Sequence, residues 1–196
     1  LMDKMRGLDF YTPLSLEQLG LPPDGNNVHY GASRSYEINK VLMGSGVQRE
    51  DSIMDFGSGK GLMLYDFYKF GIKNICGIEL SELACVIAEN NFKKLGINSI
   101  NIEQVNATDV KELLDGYGVF YFYNPFGPET LEIVINNIIQ SIERSPRSVK
   151  IIYNYPIDKD IVEKTGLFNL IYDYVPYFFG GQFLVYEYND LSQTGL

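Results

Sequence analysis

The stretch "IMDFGSGKGLMLYDF", Ile53 to Phe67, runs from apolar residues into a glycine-rich turn and then into a helical pattern. Strand, glycine turn and helix in that order form the usual cradle of a nucleotide or nucleotide-like cofactor. A phosphate-binding P-loop requires G-x-x-x-x-G-K-[ST]. Gly59-Lys60 supplies the G-K pair, but Met54 falls on the first glycine and Gly61 on the hydroxyl position, so no magnesium ligand is present. The dinucleotide fingerprint G-x-G-x-x-G places its third glycine where helix and strand pack closely. Counted from Gly57, that position is Leu62. What stands here is x-G-x-G-x-G, at Gly57, Gly59 and Gly61, directly after Asp55.

Outward from that loop the chain alternates. The apolar runs "SIMDF", "NICGIEL", "INIEQVN", "VFYFYN", "SVKIIYNY", "FNLIYDYV" and "QFLVYEY" read as strands, and helical stretches are expected between the first five. "LMLYDFYKF" reads as a helix stopped by Gly71. "SELACVIAENNFKKLG" reads as a longer one, with Leu83, Val86, Ile87 and Phe92 as its apolar face and Gly96 as its stop. "PETLEIVINNIIQSIE" places Pro128 at a first helical position, followed by a stripe of Leu131, Val134, Ile135, Ile138, Ile139 and Ile142. Near the end, "YDYVPYFFGGQFLVYEYND" reads as two strands joined through Gly180-Gly181. The expected fold is α/β: a doubly wound, mostly parallel seven-stranded sheet with helices on both faces and a C-terminal antiparallel hairpin. Residues 1–50 read as an irregular segment with a short helix ending near Gly44, and 51–196 as the cofactor-binding domain.

Bulk properties narrow the function classes. A chain of 196 residues, 45% hydrophobic and 21% charged, suits one domain with a sizeable core. No apolar run reaches the ~18 residues of a membrane span, and the first residues lack the apolar core of a signal peptide, so a cytoplasmic protein is expected. Two cysteines, Cys76 and Cys85, and one histidine, His29, are too few for a Cys/His zinc site, and no metal is expected. Both cysteines fall in apolar patterns and read as core thiols. The net charge of −9 argues against a nucleic-acid partner. The basic groups Lys93-Lys94 and Arg144/Arg147/Lys150 read as solvated surface.

Asp55 followed by x-G-x-G-x-G resembles the first motif of class I S-adenosylmethionine-dependent methyltransferases. With "GIEL", "NPF" and the upstream "HYGASRSY", it resembles a group of small bacterial members of that family, over roughly Tyr30 to Asn189. The resemblance implies S-adenosyl-L-methionine as cofactor. Its sulfonium is cationic and tolerates nearby carboxylates, glycines let the backbone approach closely, and the helix after Gly61 can face its carboxylate. Asp55, Gly57, Ser58, Gly59 and Gly61 are then cofactor residues. Glu79 and Leu80 end the second strand, ~20 residues beyond the glycines, where an acid accepts the ribose hydroxyls. Asp109 stands where the family places a polar residue near adenine. Tyr36, with Tyr30 and Ser33, is a candidate lid residue, and the alternative is that Tyr36 anchors a helix on the core.

Asn124-Pro125-Phe126 ends the fourth strand, where open α/β sheets bind ligands. It resembles a shortened N-P-P-[YF] motif of nitrogen methyltransferases. In those enzymes the Asn and a proline-fixed carbonyl accept from the target NH2 and the ring stacks on it. Here one proline stands where that motif has two. By this resemblance Asn124, Pro125 and Phe126 carry the reaction on an unidentified acceptor, with nitrogen favoured and a small molecule or basic side chain preferred to RNA. Asp109, Glu129, His29 or a tyrosine is available as a base. Tyr121, Tyr123, Phe126, Tyr153, Tyr155, Tyr177, Phe178 and Phe179 supply core packing and a few rings near Asn124. Two other classes remain open, a non-catalytic adenosylmethionine-binding module and an NAD-dependent oxidoreductase. The sequence carries no reading of the oligomeric state.

Overall fold

Each of the seven apolar runs forms a strand: β1 (Ser52–Phe56), β2 (Asn74–Glu79), β3 (Ile100–Gln104), β4 (Val119–Tyr123), β5 (Lys150–Asn154), β6 (Phe168–Tyr174) and β7 (Phe183–Tyr188). The structure is a computed structural model, and it describes residues 7–22, 37–177 and 181–188. The strands make one sheet in the order β3-β2-β1-β4-β5-β7-β6. β1 to β5 pair in parallel, and β7 alone runs against its neighbours β5 and β6. The strand order reverses between β1 and β4, and the crevice at their carboxyl ends is where such sheets bind ligands.

The described helices are α1 (Leu16–Leu19), α2 (Ile38–Gly44), α3 (Leu62–Phe70), α4 (Glu82–Leu95), α5 (Pro128–Arg144) and α6 (Lys159–Glu163). Strand side chains alternate between faces. Ile53, Ile75, Tyr121 and Ile152 bury against α2, α3 and α4, with Val41, Phe67 and Phe92 as partners. Met54, Phe56, Cys76, Phe120 and Phe122 bury against α5, through Leu131, Val134, Ile135 and Ile138. Ile139 lies partly buried on the same cluster. Leu8 and Phe10, far up the chain, belong to the first of these clusters. So do Ile38, Val41 and Leu42, so α2 is a fixed part of the core. Both cysteines are buried, and burial pushes the Cys76 thiol up to about 11 and the Cys85 thiol up to about 12.

Several elements differ from the expectation. β6 ends at Tyr174 and β7 begins at Phe183, and Gly180 of the expected Gly180-Gly181 connection lies outside the described residues. The ladder closes at Tyr174 opposite Phe183, Pro176 has no N–H to extend it, and the Gln182 carbonyl accepts instead from the Tyr155 N–H (2.9 Å). Between β3 and β4 stand two 3₁₀ turns, Ala107–Asp109 and Glu112–Gly116, in place of a longer helix. Asn106 caps the first, and Asn137 of α5 donates to the Thr108 and Val110 carbonyls. α4 buries Ala84, Cys85, Ala88, Asn91 and Phe92 and leaves Leu83 and Val86 exposed, because the small residues allow the closest approach. α6 carried no clear signal. The basic residues near β5 are engaged: Arg144 pairs with Asp115, Lys150 with Glu187, and Arg147 donates to the carbonyls of Leu114, Tyr117, Ser141 and Ser145. No helix of the described residues is long and apolar enough to cross a membrane.

Candidate active site

The loop after β1 is held in shape by backbone bonds and by one carboxylate. Gly57 N–H and Ser58 N–H both donate to the Ile78 carbonyl (2.8 and 3.1 Å), which ties the turn to β2. Glu79 Oε2 accepts from Gly59 N–H and its Oε1 from Ser81 N–H, both at 2.8 Å. Glu79 is thus a clamp on the loop as well as an acid at the end of β2. Gly57, Gly59 and Gly61 all have positive φ, a region that side chains with a Cβ rarely adopt. Two of the three are also sterically committed. A Cβ on Gly57 would lie 2.7 Å from Pro125 Cβ, and one on Gly61 would lie 2.6 Å from Phe92 Cζ. The first contact means that the Asn124-Pro125-Phe126 turn rests directly on the glycine loop.

Asp55 is buried in β1, across from Gly77 on one side and Tyr121 on the other. Burial, reinforced by the Glu79 charge, raises its carboxyl well above the ordinary range. Burial also raises Glu79, against the pull of the Ser81, Gly59 and Leu80 N–H groups. Two desolvated carboxyls side by side favour a cationic ligand. Ser58 Oγ is buried without a hydrogen-bond partner, a polar atom left for a ligand or water to satisfy. Leu80 is exposed beside Glu79, and Asp109 is exposed on its 3₁₀ turn beyond β3. The residues present therefore fit a small cationic cofactor with a ribose. Among the described residues no group of His, Cys, Asp and Glu could hold a metal ion.

Across the crevice the construction changes. Asn124 (φ 40°) and Tyr155 (φ 55°) are the described non-glycine residues with positive φ, and they follow the neighbouring strands β4 and β5. Such backbone is strained and concentrates at functional sites. Tyr153 OH donates to Asn124 Oδ1 (3.1 Å) and accepts from Asp158 N–H (3.4 Å). Burial pushes the Tyr153 hydroxyl up to about 12, so it stays a donor. Asn154 Nδ2 donates to the buried Tyr121 OH (2.9 Å). The Phe126 ring does not lie free beside Asn124. It packs edge-on against Phe56 and Phe122, which stack on each other on the α5 face. The exposed rings flanking Asn124 are Tyr123 (41% exposed) and Tyr155 (50%).

The family model of the ribosomal protein L11 methyltransferases (PrmA) matches residues 38–145, from α2 through α5, more than half of the chain. The chain belongs to this family. Its glycine loop, Asp55 and Glu79 all lie within the matched span, and its cofactor is S-adenosyl-L-methionine. EEF1A lysine methyltransferase 2 from Homo sapiens is 23% identical over 96 residues, which are 49% of this chain and 41% of that protein. The chain thus spans about two fifths of the length of the curated relatives it matches. Among solved structures, the ribosomal protein L11 methylase from Lactobacillus delbrueckii subsp. bulgaricus superposes with a TM-score of 0.62 at 15% identity, covering 82% of this chain and 81% of that one. Magnesium protoporphyrin IX methyltransferase from Synechocystis PCC 6803, with bound SAM, gives 0.60 at 12% identity, covering 78% and 77%. Likeness at these identities speaks to the fold.

In this member of the PrmA family the structure brings together Asp55, Gly57, Ser58, Gly59, Gly61, Glu79, Asn124 and Pro125. It packs Phe126, partly buried, against the core on the α5 face, and it leaves Asp109 and Glu129 exposed at the periphery. Tyr36, with Tyr30, Ser33 and His29, lies outside the described residues, as do Phe178 and Phe179. Sequence reading named Tyr153 only as one of several packing rings; it passed over Asn154, which read as an ordinary strand residue, and Lys60, which read only as half of a failed P-loop.

Proposed function

We propose that the chain is an S-adenosylmethionine-dependent methyltransferase that modifies a nitrogen on a small molecule or protein side chain, presented at the Asn124-Pro125-Phe126 turn. Pro125 seated on Gly57 carries this reading, because it puts the acceptor turn against the cofactor loop. When bound, the cofactor supplies a methyl group on a sulfonium, ready for direct displacement. The chain's task is then alignment, and proximity of this kind contributes about 7–11 kcal/mol to such a reaction. Asp55 and Glu79 hold the cofactor side. Asn124, oriented by Tyr153, offers hydrogen bonds to the acceptor, and Tyr123 and Tyr155 offer ring faces to an amine or its methylated product. Phe126, partly buried against Phe56 and Phe122, supports the turn. The lysine specificity named for the curated relatives and the net charge of −9 both favour a basic protein side chain over RNA.

The test is label transfer from [methyl-³H]S-adenosylmethionine into a bacterial cell extract, followed by separation into protein, RNA and small-molecule fractions. Label in protein or small molecules, recovered as an N-methyl group and absent with Asn124→Ala, supports the reading. Label only in RNA, or transfer undiminished in Asn124→Ala, overturns it.

A further inference from the structure

Lys60 sits in the middle of the glycine loop, between the glycine clamped by Glu79 and the glycine that starts α3, yet its side chain is completely buried. It points to the N-terminal strap, residues 7–14. Its Nζ donates to Asp9 Oδ2 and to the Thr12 carbonyl, both at 2.8 Å. Its own carbonyl accepts from Asn91 Nδ2 of α4 (3.3 Å). Asn91 in turn brackets Asp9: its Oδ1 accepts from Asp9 N–H (2.8 Å) and its Nδ2 donates to the Asp9 carbonyl (3.1 Å). Strap, loop and α4 close into one network. A second link is apolar. Phe10 of the strap stacks on Tyr65 of α3 (5.7 Å) and meets Phe92 of α4 (6.5 Å), and Phe92 occupies the space where Gly61 would carry a Cβ.

We propose that Lys60 is a positioning residue for the cofactor site, through which the docked N-terminal strap holds the glycine loop in its binding geometry. A buried ammonium is tolerable only while its partners are in place. Undocking the strap strips Asp9 and Thr12 from Lys60, and the loop must then rearrange to let the charge reach water. Docked strap and bound cofactor therefore favour the same loop conformation, and by linkage each strengthens the other. Burial works against the Asp9 charge, but the Lys60 and Thr12 hydrogen bonds hold its carboxyl below the ordinary value, so Asp9 is ionised at neutral pH. Membership in a methyltransferase family supplies the cofactor on which the inference rests, and the acceptor plays no part in it.

The test uses the full chain and S-adenosylhomocysteine as probe, in calorimetric titration and in amide hydrogen exchange with and without the probe. Asp9→Asn is the first variant, because Asp9 is 39% exposed and the change is isosteric. The expected result is an affinity about 5–10-fold weaker than that of the native chain. In the native chain the probe slows exchange across residues 7–12, a response that a merely structural strap contact does not give, and in Asp9→Asn this slowing shrinks. Lys60→Met is expected to weaken binding further. If it fails to fold, Asp9→Asn and the native exchange data decide. Native affinity in Asp9→Asn, or a strap whose exchange ignores the probe, overturns the proposal. A native chain that binds no probe at all overturns both the proposal and the cofactor assignment.

Discussion

The two sides of the crevice are built in different ways. On the β1–β2 side, shape comes from backbone: three glycines at positive φ, N–H groups on the Ile78 carbonyl, and a carboxylate that grips two more N–H groups. On the β4–β5 side, shape comes from side chains. Asn124 and Tyr155 adopt positive φ without being glycine, and a buried tyrosine hydroxyl fixes the Asn124 amide. The first side is suited to one invariant ligand and tolerates little change. The second stores strain and presents rings and an amide, parts that can be exchanged to suit different acceptors.

If that division holds, damage to the two sides separates binding from turnover. The largest effect is expected from Glu79→Ala, which removes the loop clamp and the proposed ribose acceptor together. Two charge-assisted hydrogen bonds are worth about 3–6 kcal/mol, so S-adenosylhomocysteine affinity should fall at least ~100-fold by calorimetry. Glu79→Gln keeps an acceptor oxygen and should lose less. Retained affinity in Glu79→Ala would break the comparison at its base. Asn124→Ala is the counterpart. It should leave the affinity within about 3-fold and cut label transfer about 100-fold, as removal of one oriented hydrogen-bonding group does.

Smaller effects sharpen the contrast. Gly57→Ala adds a Cβ 2.7 Å from Pro125 and forces an L-residue to positive φ, so it should cost about 1–2 kcal/mol or more and lower Tm by roughly 3–6 °C in a thermal melt. Tyr155→Gly works in the opposite direction. Relief of positive φ outweighs the entropy that glycine adds to the unfolded chain, and Tm should rise by about 1–3 °C while transfer falls.

The acids give a pH signature. Asp55 and Glu79 are raised from ordinary values of 3.8 and 4.5 in the folded chain. Their contribution to stability is therefore fully present below those values and is lost as pH rises through the folded pKa values. A cationic cofactor lowers both. Binding should release protons, seen as a buffer-dependent enthalpy in calorimetry, and affinity for S-adenosylmethionine should rise with pH across that window. Asp55→Asn should abolish the Asp55 part of the proton release and stabilise the ligand-free chain at neutral pH.

Much of the cofactor side was legible in the chain. Gly57, Gly59 and Gly61 after Asp55, with Glu79 closing the next strand, are local signals, because turn geometry and strand ends depend on residues next to one another. The seven strands, α3 and the Pro128 start of α5 were legible for the same reason: hydrophobic periodicity and capping are short-range. The β4–β5 side was legible only as Asn124-Pro125-Phe126 and an unsorted set of rings that included Tyr123, Tyr153 and Tyr155. That the Phe126 ring packs against the core depends on Phe56 and Phe122, and the orientation of Asn124 depends on a tyrosine 29 positions away. The exposed face of α4 was misplaced because periodicity reveals a stripe, and the closeness of Ala84 and Ala88 to their neighbours decides which stripe is buried.

By itself, then, the sequence determined the class of fold and the position of the cofactor loop, since those follow from alternation and glycine stereochemistry along contiguous residues; the kind of ligand came from the resemblance of Asp55 and its x-G-x-G-x-G to the class I methyltransferases. Only the tertiary structure decided that Pro125 rests on Gly57, that Glu79 clamps the loop, and that Lys60 reaches back 51 positions to Asp9. Each of these is a contact between segments distant in the chain. Its strength comes from burial and geometry that exist only once the sheet has brought the strand ends together.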